Sequence, residues 1–532
     1  MKILKNTIPI VLFLLLFAAC TPPSPTEEMH IVLVADGRQR AYIHDQVITV
    51  GQFLEQVEVT LDELDRIVPP KVTQIRDGMT ITVVRVQEEV TCEQNVIPYQ
   101  KQTMPYEGLA SDEERLAQAG VNGIEEVCYR TTIEDGDPKQ RVEIQRVVVE
   151  APQDEIVFVG IDTTELEPVP INGTLAYISN NNVWLMRGSS ATKRLLTNSN
   201  AVDGKVFSLS PDGNQLLFTQ QHPDEDSNIY FNTLWVILDS RSTEPVPQEL
   251  NLLNNILYAE WIPHEPQTFS YSTAEARDAA PGWQAFNDLW VIRLDDEQAV
   301  PINVENLVES SSGGIYGWWG TDFEWSPDGA ALAWSHADSI GIVDLETGEF
   351  QTLLDFPAYT TLQDWVWQPS LSWSPDGNML LTTVHGPPFG AEQPEFSPIF
   401  NIVATTVEQE EGFQASMVDR AGIWTAPKFS PFVDHGGEFP QVYLAYLQAR
   451  NPLNSINDEY DLIIADRDAS NARIVFPQET QPGLTAQEFA WSPDGQHIAF
   501  IYQGNLWIVE ASSGRAQQLT VDGGASSPQW SN

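Results

Sequence analysis

The side chains best equipped for recognition chemistry in this 532-residue chain are five aromatic rings: Tyr316, Trp318, Trp319, Trp365 and Trp367. They sit in two long stretches, VENLVESSSGGIYGWWGTD (304–322) and DFPAYTTLQDWVWQ (355–368). Such rings stack on sugar faces or anchor a protein partner; otherwise they pack a loop onto the scaffold beneath it. Catalytic groups do not stand out. There is no H-E-x-x-H, no G-x-S-x-G, no phosphate-cradling glycine loop and no cysteine set for nucleophilic attack. The eight histidines are scattered, and none pairs at metal-ligand spacing. His385 and His435 lie near expected loops with no evident partner. With 75 acidic residues, nominating any two carboxylates as a catalytic pair carries no information. The acidic stretches DEDSN (224–228) and NDEYD (457–461) are candidate calcium loops, but neither has the spacing of a known one, and a solvated loop is the plainer reading. No other metal or cofactor is expected.

The balance of 27 basic against 75 acidic residues gives a net charge of -48. That argues against nucleic acid, whose phosphates need a basic footprint, and against electrostatic docking on anionic lipid. The chain begins MKILKNTIPIVLFLLLFAAC. Lys2 and Lys5 precede an apolar run from Ile8 to Phe17 that is short for a membrane span. Ala18 and Ala19 then lead into Cys20. These residues resemble a bacterial lipoprotein signal, with Phe17 standing where leucine is usual. The resemblance implies a signal peptide over 1–20, lipidation at Cys20 and an extracytoplasmic, membrane-anchored protein. The Pro/Ser-rich stretch that follows suits a tether over 21–29. In an exported chain the two remaining cysteines, Cys92 and Cys128, invite a disulfide; two unpaired thiols are the alternative.

What positions the aromatic stretches is a repeat. SLSPDGNQLLFT (208–219) recurs as EWSPDGAALAWS (324–335), SWSPDGNMLLTT (372–383) and AWSPDGQHIAFI (490–501). Looser copies are EWIPHEPQTFSYS (260–272) and KFSPFVDHGGEFPQVYLAYL (428–447). A strand ends in Ser-Pro-Asp-Gly and its partner follows at once. The prolines Pro211, Pro327, Pro375 and Pro493 preset the second turn position, and Gly213, Gly329, Gly377 and Gly495 accept positive φ at the exit. The tryptophan before the serine supplies bulk for packing on the next unit. Seven further strand signals interleave: NVWLM (182–186), TLWVIL (233–238), DLWVIR (288–293), IGIVD (340–344), NIVAT (401–405), YDLII (460–464) and NLWIV (505–509). The chain ends in SPQWSN, and INGTLAYIS (171–179) reads as the second half of a split unit. The pattern resembles the propeller of TolB and related WD-repeat-like families. It implies seven four-stranded blades over 171–532, with six as the alternative, and a ring closed by pairing the last strand with the first. Strand parity places the long insertions, 304–322 and 355–368 among them, at one end.

No tryptophan precedes Trp184, and TELEPVPIN marks a linker around 164–170. Before it, HIVLVADG, TVGQFL, DRIVPP and DGMTITVVRV over residues 30–87 resemble the small β-rich, β-grasp-like repeat domain of resuscitation-promoting-factor-like proteins. VIPYQ, Gly120 and Gly123 in AGVNG, Gly136 and Gly160 over 88–163 resemble the five-glycine (G-five) domain, with Asp112 where a further glycine is usual. That resemblance implies adhesion to cell-wall glycan, with a rigid spacer as the alternative. The chain therefore reads as mainly β, with two small β-rich domains before a propeller. The expected function is that of a non-enzymatic envelope lipoprotein, whose small domains meet wall glycan and whose propeller binds protein or glycan. The alternative is an extracytoplasmic carbohydrate-active enzyme, a hydrolase or lyase, with its site on the propeller loop face.

Overall fold

A computed structural model describes residues 28–532, apart from 108, 164–165, 223–229, 296–297, 408–412, 435, 437–439, 479 and 486, and leaves aside the side chains of 251–252. The signal peptide over 1–20 with Cys20, residues 21–27 of the tether over 21–29, His435 and the DEDSN stretch lie outside the described residues. Among the described residues no helix is long and apolar enough to cross a membrane. Two compact units emerge: Met1–Lys101 with Gln118–Glu155, and Gln102–Ala117 with Ile156–Asn532. The segment 88–163 is thus shared between them.

In the first unit a four-stranded sheet runs in the order Arg38–His44, Met29–Ala35, Thr80–Val84, Arg66–Val68. Met29–Ala35 and Thr80–Val84 pair in parallel. A parallel pair needs a crossover, and the chain between these strands carries the short helix Val50–Gln56. Thr49 and Gln52 cap that helix reciprocally, which satisfies otherwise orphan backbone donors. Val50, Phe53 and Leu54 bury its apolar face against Ile31, Leu33, Ile75 and Ile81. A second sheet joins Val86–Ile97, Gly123–Glu134 and Asp137–Glu150. Cys92 and Cys128 face each other on neighbouring strands and form a disulfide. A Cβ on Gly123 would fall 2.4 Å from the Glu150 carbonyl, so only glycine allows that approach.

The second unit opens with a small sheet of Lys101–Tyr106, Glu155–Gly160 and Glu114–Gln118. Seven antiparallel sheets follow among the described residues. The first pairs Pro170–Ser179 with Asn182–Leu195 and with the last strand of the chain, Ala525–Ser531. The second to seventh begin at Val202, Ile256, Asp322, Leu371, Lys428 and Phe489. Each holds four consecutive strands in order, and the third carries an extra short strand, Trp283–Ala285. All seven interleaved signals named above form the third strand of a sheet, or its counterpart in the first.

Apolar clusters join neighbours in sequence. Ile178 and Phe218 belong to the cluster between the first and second sheets, and Val236 and Phe269 to that between the second and third. The series continues through the others to the seventh. Tyr177, Ala499 and Ile508 then join the seventh sheet to the first.

The Ser-Pro-Asp-Gly turns share one bonding scheme. The serine hydroxyl donates to the aspartate carboxylate, at 2.6 Å for Ser210–Asp212, Ser326–Asp328 and Ser492–Asp494. The glycine N–H donates to the serine carbonyl, and the N–H five residues after the serine donates to its hydroxyl. Gly213, Gly329, Gly377 and Gly495 have φ between 65° and 70°, where only glycine is unstrained. The tryptophans before the serines reach back to the preceding sheet. The indole N–H of Trp325 donates to the Ser270 hydroxyl, that of Trp373 to the Glu324 carbonyl and that of Trp491 to the Lys428 carbonyl; Trp261, which precedes Ile262 in a looser copy, donates to the Ser208 carbonyl in the same way. The contact expected with the next unit is therefore made with the one before.

Candidate functional site

Most of the long connections run from the second to the third strand of a sheet, as 277–288, 386–399 and 450–459 do, or from the fourth strand to the next sheet, as 309–321 and 356–370 do; 430–442, between the first and second strands of the sixth sheet, is an exception. Several touch. The Tyr316 hydroxyl lies 3.4 Å from Thr360 Oγ1, Gln368 Nε2 donates to the Gly320 carbonyl, and the Thr360 N–H donates to the Glu395 carbonyl. Together 316–319 and 359–366 line a concavity of about 230 Å³. Tyr316 and Trp318 stand edge to face, with centroids 5.6 Å apart and an interplanar angle of 89°. Trp318 is 45% exposed, while Tyr316, Trp319 and Trp365 are half-buried. Trp365 packs on Trp424 at 5.3 Å, and its indole N–H donates to Gln363 Oε1. Two bulky residues beside the concavity, Tyr316 and Leu362, hold φ of 60° and 56°. Strain of this kind persists where the surroundings over-determine it and concentrates at functional sites.

Trp367 does not belong to this face. It is 2% exposed, packs against Phe400 and Ile423, and donates its indole N–H to the Ile423 carbonyl. In the irregular stretch Trp365-Val366-Trp367 no strand alternation told which ring points inward. His385 is likewise structural: buried, with its ring nitrogens 2.8 Å from the Pro357 and Ser397 carbonyls, it has the partners the sequence did not reveal. In NDEYD, Glu459 and Asp461 bind Arg450, and Asp458 accepts the Asn451 N–H. Among the described residues one grouping has metal-ligand atoms within reach of each other, Cys92, Glu126 and Cys128, and its sulfurs are joined in the disulfide.

The structure adds residues that the sequence reading missed. Trp283 meets Trp319 at 5.8 Å, and the Lys205 ammonium sits 4.8 Å from the Trp283 ring centre. Tyr359 and Asp364 join the lining of the concavity. A second set lies on first strands of successive sheets. The Tyr258 hydroxyl donates to Glu260 at 2.7 Å, and Lys428 Nζ donates to the Phe489 carbonyl. Burial pushes the Glu260 carboxyl up to about 7. Burial and then the Glu260 charge push Glu324 to about 8, against the pull of the Lys428 ammonium. The signal was the recurrent Glu-Trp pair, Glu260-Trp261 and Glu324-Trp325, at one repeat position.

These shifts set a pH dependence. Both carboxyls titrate above their ordinary 4.5, so their contribution to stability is full below that value and is lost as pH rises through about 7 and 8. Glu260→Gln and Glu324→Gln should leave the thermal midpoint little changed at pH 5. At pH 9 each should stabilise the chain by about 1–3 kcal/mol. Thermal melts across pH read this directly; equal effects at pH 5 and pH 9 would contradict it.

Residues 87–162 match the model of the G5 domain, and residues 453–530 match the N-terminal region of dipeptidyl peptidase IV. No curated protein matches the chain in sequence. Among solved structures the chain is similar to a periplasmic gluconolactonase of Pseudomonas aeruginosa, at 14% identity over 67% of this chain and 98% of that one, with a TM-score of 0.41. It is similar to a puromycin-hydrolysing peptidase of Mycobacterium tuberculosis at 14% identity and a TM-score of 0.41, covering 67% of this chain and 53% of that one. A TolB candidate of Agrobacterium tumefaciens matches at 10% identity over 67% and 89%, with a TM-score of 0.30. The chain thus carries a segment like the G5 domain within a mainly β architecture.

Proposed function

We propose that the seven sheets are blades of one propeller, closed by the pairing of Ala525–Ser531 with Pro170–Ser179. Its loop end is a binding face for an envelope glycan or protein, and the protein works as a non-enzymatic scaffold. The observation that carries this is the convergence of Tyr316, Trp318, Trp319 and Trp365 on one concavity from two separate inter-sheet connections. Loops held by a rigid scaffold are where binding concentrates. The lipoprotein-like start at Cys20, the resuscitation-promoting-factor-like segment over 30–87 and the G5 match support an extracytoplasmic place beside the wall. In this reading the small domains meet wall glycan and the lipid anchor holds the chain at the membrane. The test replaces Trp318 and Trp319 with alanine in the full chain and measures recovery of envelope material. Recovery should fall at least about fivefold, as expected for losing exposed aromatic anchors; a folded double variant with unchanged recovery would sink the proposal.

A second reading has its own observation. Glu260 and Glu324 are carboxyls shifted toward neutral pH on neighbouring sheets, as an acid–base pair in a hydrolase or lyase would be. Turnover of peptidoglycan fragments or peptides that vanishes in both Glu260→Gln and Glu324→Gln would favour it over the scaffold.

A further inference from the structure

We infer that the concavity at the aromatic face takes a quaternary ammonium group of the choline type; this rests on reading that face as the binding site. The chemistry of its walls selects a cation. Tyr316 and Trp318, packed edge to face on each other, line the concavity with Trp319, Tyr359 and Trp365, so that its lining is largely aromatic. Ring faces carry negative potential and attract an alkylated ammonium, which loses little hydration when enclosed. Among the described residues the single charged one of the lining is Asp364, a carboxylate, and none is lysine, arginine or histidine. A phosphate or carboxylate ligand would therefore meet repulsion and no donor cation, in a chain of net charge -48. The same surface already holds one ammonium this way: Lys205 sits over Trp283, and Trp283 meets Trp319 edge to face. Trp318, 45% exposed, offers its ring to a ligand from solution. A neutral sugar would stack on the same rings but would gain nothing from the negative potential of the ring faces and the carboxylate, which favours a cation.

Tryptophan fluorescence of the full chain is titrated with choline and with tetramethylammonium. Parallel titrations use the uncharged isostere 3,3-dimethylbutan-1-ol and N-acetylglucosamine. Both cations should saturate, and the isostere should bind at least about fivefold more weakly. Trp318→Ala should weaken choline by about fivefold or more, and Asp364→Asn by about two- to fivefold. Trp318 and Asp364 are surface residues, so both variants should fold; circular dichroism checks this. Equal binding of choline and its isostere, saturation by N-acetylglucosamine alone, or indifference to Trp318→Ala each overturns the ammonium assignment. Should choline fail while the Trp318/Trp319 double variant still loses envelope material, the binding face stands and only the ligand class falls.

Discussion

A chain stopped at Gly523 is expected to lose about 10 °C or more from its thermal midpoint and to aggregate on refolding. The deleted strand, Ala525–Ser531, pairs with Thr174–Ser179 through five aligned residues. Each ladder hydrogen bond contributes about 1 kcal/mol. Ala525 is also buried in the cluster that joins the first and seventh sheets, with Trp530 packed against it. The Trp530 indole N–H donates to the Asn172 carbonyl as well. Removal bares the edge of Pro170–Ser179, an apolar strand with buried Leu175, Ala176 and Tyr177, and such an edge templates pairing with other chains. A milder variant keeps the strand but pries at it. Gly173 has φ of 74°, and a Cβ there would lie 2.2 Å from the Ser531 carbonyl. Gly173→Val should speed amide exchange across 525–531 while leaving the Met29–Val84 region unchanged. If both variants kept the wild-type midpoint and exchange rates, pairing of Ala525–Ser531 with Pro170–Ser179 would not hold the unit together.

The parts of this fold that were legible came from residues whose backbone demands are narrow. Ser-Pro-Asp-Gly can do little but turn, and its serine and aspartate bond each other and the backbone in every full copy. The looser copies were harder for stated reasons. In the third sheet Pro263 and Pro266 replace the full turn sequence, with His264 taking positive φ. In the sixth, the first strand is only Lys428–Phe429, and a long excursion separates it from Tyr443–Ala449. The aromatic face was half legible: connection length pointed to the segments, but only packing separates Trp365 from the buried Trp367. Glu260 and Glu324 were hidden because glutamate is abundant here and its environment, not its identity, moves its titration. The boundary between the two units was illegible in composition because it follows packing. Tyr106 stacks on Phe158 at 4.8 Å and meets Trp184 at 5.2 Å, which places 102–117 with the sheets.

That segment also carries the second large effect. Glu107 and Lys193 form an ion pair whose side chains are 4% and 8% exposed. The other oxygen of Glu107 accepts the Val521 N–H at 2.6 Å, just before the terminal strand. One carboxylate therefore ties 102–117 to both ends of the array of sheets. Glu107→Leu strands the Lys193 ammonium in a nearly closed site, and breaking a buried pair on one side costs about 3–5 kcal/mol. Lys193→Met should cost a similar amount by leaving the carboxylate alone. The double variant Glu107→Leu/Lys193→Met removes both charges, and replacing a buried pair with apolar side chains is often close to neutral. It should recover most of the loss, less about 1 kcal/mol for the Val521 N–H left without its acceptor. Denaturant midpoints of the four chains, closed as a double-mutant cycle, measure the coupling. A coupling below about 1 kcal/mol would mean that the pair is solvated in solution like any surface pair. A large coupling, with amide exchange at 519–525 quickened more in the single variants than in the double one at every amide except that of Val521, would place this contact among those that hold the first and last sheets together.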